Sequence, residues 1–316
     1  ISPGFLPVLR GLLAYPPHER FSSAGEALEA LQRASGRGSD HIEPTSIRES
    51  FLQAAKFVGR QQELETLRAA FDAADKRSGS GWLIGGESGV GKSRLVDELR
   101  IYCLVRGGLV MHGQAVESGG KPYQMWRQPI RRLVIAVNPS DDEASHLKTV
   151  IPEIDDLLGR PITAAIPLTG RSQVERLANT LIDLLRRASQ TVLLLVEDIH
   201  WAADDRALLV ALMRFAADLP LMIVATYRED EAPYLKAALP TMQPMHLNRL
   251  SDPEIALFCQ AMLGTTFEQP ELVDLLRRET EGNALFIVEV MRALAEETGR
   301  LSDIGRVTLP HEVFAG

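Results

Sequence analysis

Between residues 86 and 93 the chain reads Gly86-Glu87-Ser88-Gly89-Val90-Gly91-Lys92-Ser93. Two glycines at this spacing, followed by a lysine and a hydroxyl residue, fit the pattern G-x-x-x-x-G-K-[ST]. Glycine lets the backbone curl until successive N–H groups face one concavity, and such a nest suits a phosphate. A helix beginning at Lys92 adds the positive end of its dipole. Lys92 is then placed to reach β- and γ-phosphates, and Ser93 to put its hydroxyl on Mg²⁺. Arg94, the next residue of that helix, is counted with the same nucleotide-binding set. The implied chemistry is the binding of a nucleoside triphosphate.

A second constellation lies at Glu197-Asp198, two carboxylates that end the wholly apolar run 191–196. Phosphoryl transfer needs one carboxylate on the metal side and often another to orient water. Glu197 is assigned to the metal, through its water shell, and Asp198 to water activation; the spacing alone leaves the two roles interchangeable. A third candidate is Arg228, just past the apolar run 220–226. Its planar fork suits a γ-phosphate, although pairing with a neighbouring acid such as Glu229 or Asp230 is a competing reading. His200 and Trp201, close behind the carboxylates, are equally readable as core residues under the strand end.

The elements that must position these groups alternate. Apolar periodicity predicts helices over 61–76, 92–106, 122–137, 174–187 and 205–216. Short apolar runs predict strands at 81–86, 108–115, 191–196 and 220–226, with a weaker one at 242–247. Runs apolar on both faces belong to a parallel sheet covered by helices, and such sheets bind ligands at the carboxyl ends of their strands. The proline-rich stretch 138–170 resists ordering. Beyond Ser251 the pattern is helical to about 297. The fold class expected is thus a P-loop three-layer α/β/α parallel sheet followed by an α-helical segment. In front of it, residues 1–34 suggest two short helices about a Pro16-Pro17 turn, and 35–52 a linker.

Composition narrows the setting. The 316 residues carry 34 lysines and arginines against 42 acids, a net charge of −8. That balance lacks the basic footprint of a nucleic-acid binder. No apolar run is long enough to span a bilayer, and no secretory signal pattern occurs. Cys103 and Cys259 are too few and too far apart for a disulfide framework, so the expected setting is cytoplasmic, without membrane or nucleic-acid partners. A start at Ile1 and a stop at Gly316 suggest a piece of a longer protein.

Four blocks in order resemble the STAND class of signal-transduction ATPases. Phe57-Val58-Gly59-Arg60, with Glu63 and Leu64, resembles the box that precedes the phosphate loop in that class. Glu197-Asp198-Ile199-His200-Trp201-Ala202 resembles its "ED-HWAD" block, Thr226-Tyr227-Arg228 its first sensor, and Gly282-Asn283-Ala284-Leu285-Phe286 its lid block. The resemblance covers roughly residues 56–290. It implies ATP rather than GTP, and no guanine-reading N-K-x-D segment occurs. It also implies that Val58, Gly59 and Arg60 hold the adenine arm, that Gly282 and Asn283 close the lid on base and ribose, and that oligomerisation can follow ATP binding. Ala203 and Ala284 depart from the usual Asp and Pro. Residues 12–28 resemble the last helices of a protein kinase C-lobe, with Pro16 in place of the usual Asp and Arg20 expected to pair with a buried Glu. The kinase catalytic segments are not in the chain.

These likenesses divide the chain into a kinase remnant (1–34), a linker (35–52), a nucleotide-binding domain (53–248) and a lid (249–316) cut before a winged-helix element. The expected function is a slow ATP-driven switch within a larger regulatory protein with fused signalling domains. Its rivals are a ring-forming AAA+ motor, with Arg206 or Arg214 as a finger in trans, and a nucleotide-binding scaffold without turnover.

Overall fold

A computed structural model of the protein describes residues 5–14, 20–21, 27, 30–31, 34, 57–117, 122–202, 205–263 and 270–298. The chain divides into two units, residues 1–54 and 55–316. In the first, helix α1 (Leu6–Leu13) has a proline in its first turn and buries Val8. The Nε of Arg20 donates to the carbonyl of Ala14 at 2.8 Å. The expected Pro16-Pro17 turn, the linker and the end of the chain lie outside the described residues.

The second unit opens with α2 (Gln61–Asp75), β1 (Ser80–Gly85), α3 (Lys92–Val105), β2 (Leu109–Gln114) and α4 (Gln124–Val137). The stretch that sequence periodicity left unordered holds two short helices, α5 (Asp141–Leu147) and α6 (Ile154–Leu158). A capping box starts α5: Ser140 Oγ accepts from the Glu143 N–H, and the Glu143 carboxylate accepts from the Ser140 N–H. Helix α7 (Gly170–Arg187) begins before the expected Val174. There follow β3 (Val192–Glu197), α8 (Arg206–Met213), β4 (Leu221–Thr226), the single-turn α9 (Leu235–Ala238) and β5 (Gln243–His246). Helices α10 (Asp252–Leu263), α11 (Pro270–Thr280) and α12 (Ala284–Thr298) complete it.

All strand pairs are parallel, in the order β2-β3-β4-β1-β5. Period-two alternation sorts the central strands between two cores. Val192, Leu194 and Val196 of β3 face one core, with Trp126 of α4, Leu181 of α7 and Leu209 of α8. Leu193 and Leu195 face the other, with Leu67 and Phe71 of α2 and Leu99 of α3. Each such side chain contributes about 1.5–3 kcal/mol by leaving water. Pro244 sits on β5, an edge strand of this sheet, where a missing N–H is tolerated. No helix among the described residues is long and apolar enough to cross a membrane.

Strand register brings the chemistry to one edge. Gln114 pairs with Glu197, Val196 with Ala225, and Ile84 with Thr226. The carboxyl ends of β1, β2, β3 and β4 therefore finish together, and the phosphate loop, the Asp198 turn and the segment with Arg228 leave from that edge.

The core beside α4 rests on Trp126, which is 1% exposed and whose Nε1 donates to the Asp205 carbonyl at 3.1 Å. Trp126→Ala is expected to destabilise the chain by about 3–5 kcal/mol, read from the urea-unfolding midpoint.

Candidate nucleotide site

The loop between β1 and α3 opens the sequence octet, and four of its backbone carbonyls have partners. Lys92 Nζ donates to the carbonyls of Gly86 at 2.8 Å and Glu87 at 2.7 Å. Asn283 Nδ2 donates to Ser88 O at 2.8 Å, and the Leu285 N–H donates to Gly89 O at 3.0 Å. Val90 is a core residue, 2% exposed. Partial burial holds the Lys92 ammonium below its ordinary pKa, aided by the Arg228 guanidinium and opposed by Asp198, Asp230 and Glu231. Arg94, on the outer face of α3, pairs with Glu98 at 2.9 Å.

Ser93 Oγ donates to Glu197 Oε2 at 3.1 Å. The other Glu197 oxygen lies 2.8 Å from His112 Nε2. The hydrogen bond from His112 is the main cause that holds the Glu197 carboxyl below its usual range. A hydroxyl and an ionised carboxylate are the hard oxygen donors that Mg²⁺ prefers, so Ser93 and Glu197 fit a metal held at this point. Asp198 accepts from Gln114 Nε2 at 3.0 Å, and its own N–H donates to Thr226 Oγ1 at 3.2 Å. Its φ of +56° is left-handed, unusual for a residue with a Cβ. The neighbouring strands β2 and β4 thus fix both the side chain and the backbone of Asp198.

Arg228 is drawn to an acid, but not to one of the two that the sequence suggested. Its NH1 donates to Glu231 Oε1 at 2.7 Å, and its guanidinium lies 5.5 Å from the centre of the Trp201 ring. The His200 ring lies 4.6 Å from the Trp201 ring at a tilt of 45°, with Nε2 3.2 Å from Glu231 Oε2. Its side chain is only 2% exposed, so His200 belongs to the wall under the carboxylates. Ala203 lies outside the described residues.

The two outer boxes meet at residues 248–250. Arg60, 6% exposed, donates to the carbonyl of Asn248 and to Glu63 Oε1 at 3.4 Å. Gly59 has φ +80°, and a Cβ there would lie 2.9 Å from Leu250. Gly282 has φ +81°, its carbonyl accepts from the Leu250 N–H at 2.7 Å, and a Cβ would lie 2.2 Å from the Leu250 oxygen. Only glycine meets both demands at these positions. Val58 is half-buried beside them. Asn283, expected on base and ribose, reaches the phosphate loop itself and also caps α12, accepting from the Leu285 N–H at 3.1 Å.

His112, Gln114, Glu231 and Arg249 were not flagged by sequence reasoning. Arg249 pairs with Glu87 of the phosphate loop at 2.8 Å and with Glu281. Alternation along β2 was the available signal for His112 and Gln114: polar residues two apart on a strand end share one face. Nothing in the sequence marked the other two.

Residues 56–224, more than half of the chain, match the family described as AAA ATPase domain. The chain belongs to this family, and its phosphate loop is that of an ATP-binding P-loop ATPase domain. An uncharacterized protein of Rhizobium meliloti (strain 1021) is 24% identical over 272 residues, which is 78% of this chain. The chain spans only 26% of that relative's length. The structure of Drosophila ORC bound to DNA is similar with a TM-score of 0.50 and 14% identity, over 80% of this chain and 60% of that one. A HORMA:CdnC:Trip13 complex from E. coli MS115-1 gives 0.48 and 12%, over 84% and 92%. At such identities the likeness is one of fold.

Burial holds His200 below the ordinary imidazole value of 6.5. The unfolded chain takes up this proton first, so the His200 contribution is lost as pH falls below that value. Between about pH 7.5 and about 5.5, wild type is expected to lose more Tm than His200→Gln. Equal losses in the two proteins would contradict the burial argument.

Proposed function

We propose that this chain is the nucleotide-binding module of a STAND-type switch that binds ATP with Mg²⁺, closes its C-terminal helices as a lid and hydrolyses slowly. The observation that carries the reading is the convergence of phosphate loop, paired carboxylates and lid block on one sheet edge. The Asn283–Ser88 hydrogen bond joins the first of these to the last. In this reading the domains run 53–248 for the nucleotide core and 249–316 for the lid. The parent is a regulatory protein, a serine/threonine kinase–ATPase fusion whose catalytic kinase segments lie elsewhere. That the chain spans a quarter of its curated relative's length fits a module of a longer protein.

The roles follow from position. The loop amides 86–93 receive the phosphates, and Lys92 leaves the Gly86 and Glu87 carbonyls for the β- and γ-oxygens. Mg²⁺, when bound, supplies charge neutralisation between those phosphates. Ser93 and Glu197 would hold it, Glu197 through the metal's water shell. Asp198, fixed by Gln114 and Thr226, orients the attacking water and takes its proton. Arg228 exchanges Glu231 for the γ-phosphate and so reports hydrolysis. Val58, Gly59 and Arg60 carry the adenine arm against residues 248–250, opposite Gly282. The rival AAA+ motor reading predicts an ATP-dependent ring, which sizing with and without ATP separates from a switch.

Lys92→Ala is expected to weaken ATP binding by about a hundredfold or more, near 3 kcal/mol, measured by titration with a fluorescent ATP analogue. Asp198→Asn should keep binding while hydrolysis drops by about 10²–10⁴-fold. Tight ATP binding retained in Lys92→Ala would sink the assignment.

A further inference from the structure

Strand β2 lies at an edge of the sheet, and one of its faces changes character along its length. Alternation puts Val110, His112 and Gln114 on that face. Val110 packs into the core with Leu99 of α3 and Phe71 of α2, while Met111 between them faces the other core. Past Val110 the face leaves the core, and His112 and Gln114 are exposed. The His112 side chain is 45% exposed, so packing does not call for an imidazole there. Register places His112 beside Leu195 and Gln114 beside Glu197. His112 therefore reaches the end of β3 along the diagonal, two residues ahead of its own partner.

What it reaches is the carboxylate on the metal side of the site. His112 Nε2 lies 2.8 Å from Glu197 Oε1, and Ser93 Oγ donates to Oε2 at 3.1 Å. An ionised carboxylate only accepts, so the histidine nitrogen that faces it is the one carrying the proton. Each Glu197 oxygen thus has its own donor, one from β2 and one from α3. Two such bonds fix the rotation of a side chain that is 17% exposed. The Ser93 hydroxyl has one proton and two lone pairs. With its proton given to Oε2, its lone pairs are left for a metal. If the carboxylate turned, Ser93 would lose the acceptor that sets this direction.

We infer that His112 is a positioning residue for the metal side of the nucleotide site, holding Oε2 of Glu197 toward Ser93 and so setting the affinity for Mg²⁺ without touching metal or nucleotide. The inference rests on the nucleotide function proposed above. A carboxylate already held by an outer hydrogen bond needs no reorientation when the metal arrives. Loss of such an outer partner costs roughly 10–100-fold in metal affinity. Glu197 acts through the metal's water shell, so the lower end, about tenfold, is expected.

The test is the Mg²⁺ dependence of nucleotide binding by the whole chain, followed with a fluorescent ATP analogue. His112→Phe keeps a ring and loses the donor. His112→Gln returns an amide N–H near the place of Nε2. His112→Thr suits a strand but is too short to reach Glu197, and it replaces the Phe variant should that one fail to fold. Wild type is expected to bind more tightly with Mg²⁺ than in EDTA, with a defined midpoint in Mg²⁺. His112→Phe should raise that midpoint about tenfold and leave the affinity in EDTA unchanged, and His112→Gln should recover most of the loss. Mn²⁺ in place of Mg²⁺ reads the same shift directly, as a larger paramagnetic resonance signal from unbound ion. An unchanged midpoint in both His112→Phe and His112→Thr overturns the inference. So does equal weakening with Mg²⁺ and in EDTA, because His112 then supports the loop or the fold rather than the metal. No recovery in His112→Gln overturns it as well. Wild type that binds the analogue equally with and without Mg²⁺ overturns the inference alone, whereas wild type that binds no analogue in either condition also removes the nucleotide function on which it rests.

Discussion

A loop that turns its N–H groups inward must turn its carbonyls outward, and those carbonyls need partners of their own. This constraint organises the nucleotide side of the molecule. The Gly86 and Glu87 oxygens are taken by Lys92, the Ser88 oxygen by the Asn283 side chain, and the Gly89 oxygen by the Leu285 backbone. Two of these partners come from α12 and the turn before it, almost two hundred residues downstream. The concave shape of the loop is thus fixed from behind by the C-terminal helices as well as from within by its glycines. Movement of those helices would remove partners from the loop carbonyls.

A similar economy holds on the carboxylate side. Glu197 has one oxygen toward Ser93 and the other toward His112, while Asp198 is held by β2 through its side chain and by β4 through its backbone. The sheet register makes this possible, because Gln114 stands opposite Glu197. Behind them Glu231 pairs with Arg228, and Trp201 lies against Arg228 and His200.

Much of this was legible in the chain. The glycine spacing at 86–93 and the unbroken apolar runs of β3 and β4 carry their meaning locally, since burial on both faces requires apolar residues at every position. The box at 57–60 and the block at 282–283 were legible as motifs. Their meeting at Leu250 was not, because it depends on how two distant turns pack. The helices α5 and α6 were hidden by their shortness and by neighbouring prolines, which break periodicity before it can be counted. The Glu231 partner of Arg228 lies one residue beyond the acids first considered, at the i+3 spacing that a turn brings together. Arg249 carries no pattern at all; its importance arises from what surrounds it.

Pro244 gives the sheet one more property. In β5 the amides of alternate residues face β1 and the outside. The Leu247 N–H bonds Gly85, so the odd-numbered amides face inward and position 244 faces outward. At that position proline has no proton to offer. A strand from a second chain seeking to extend the sheet past β5 finds its central donor missing, and the row of bonds is interrupted where it would begin. Growth of the sheet past β5 is thereby disfavoured.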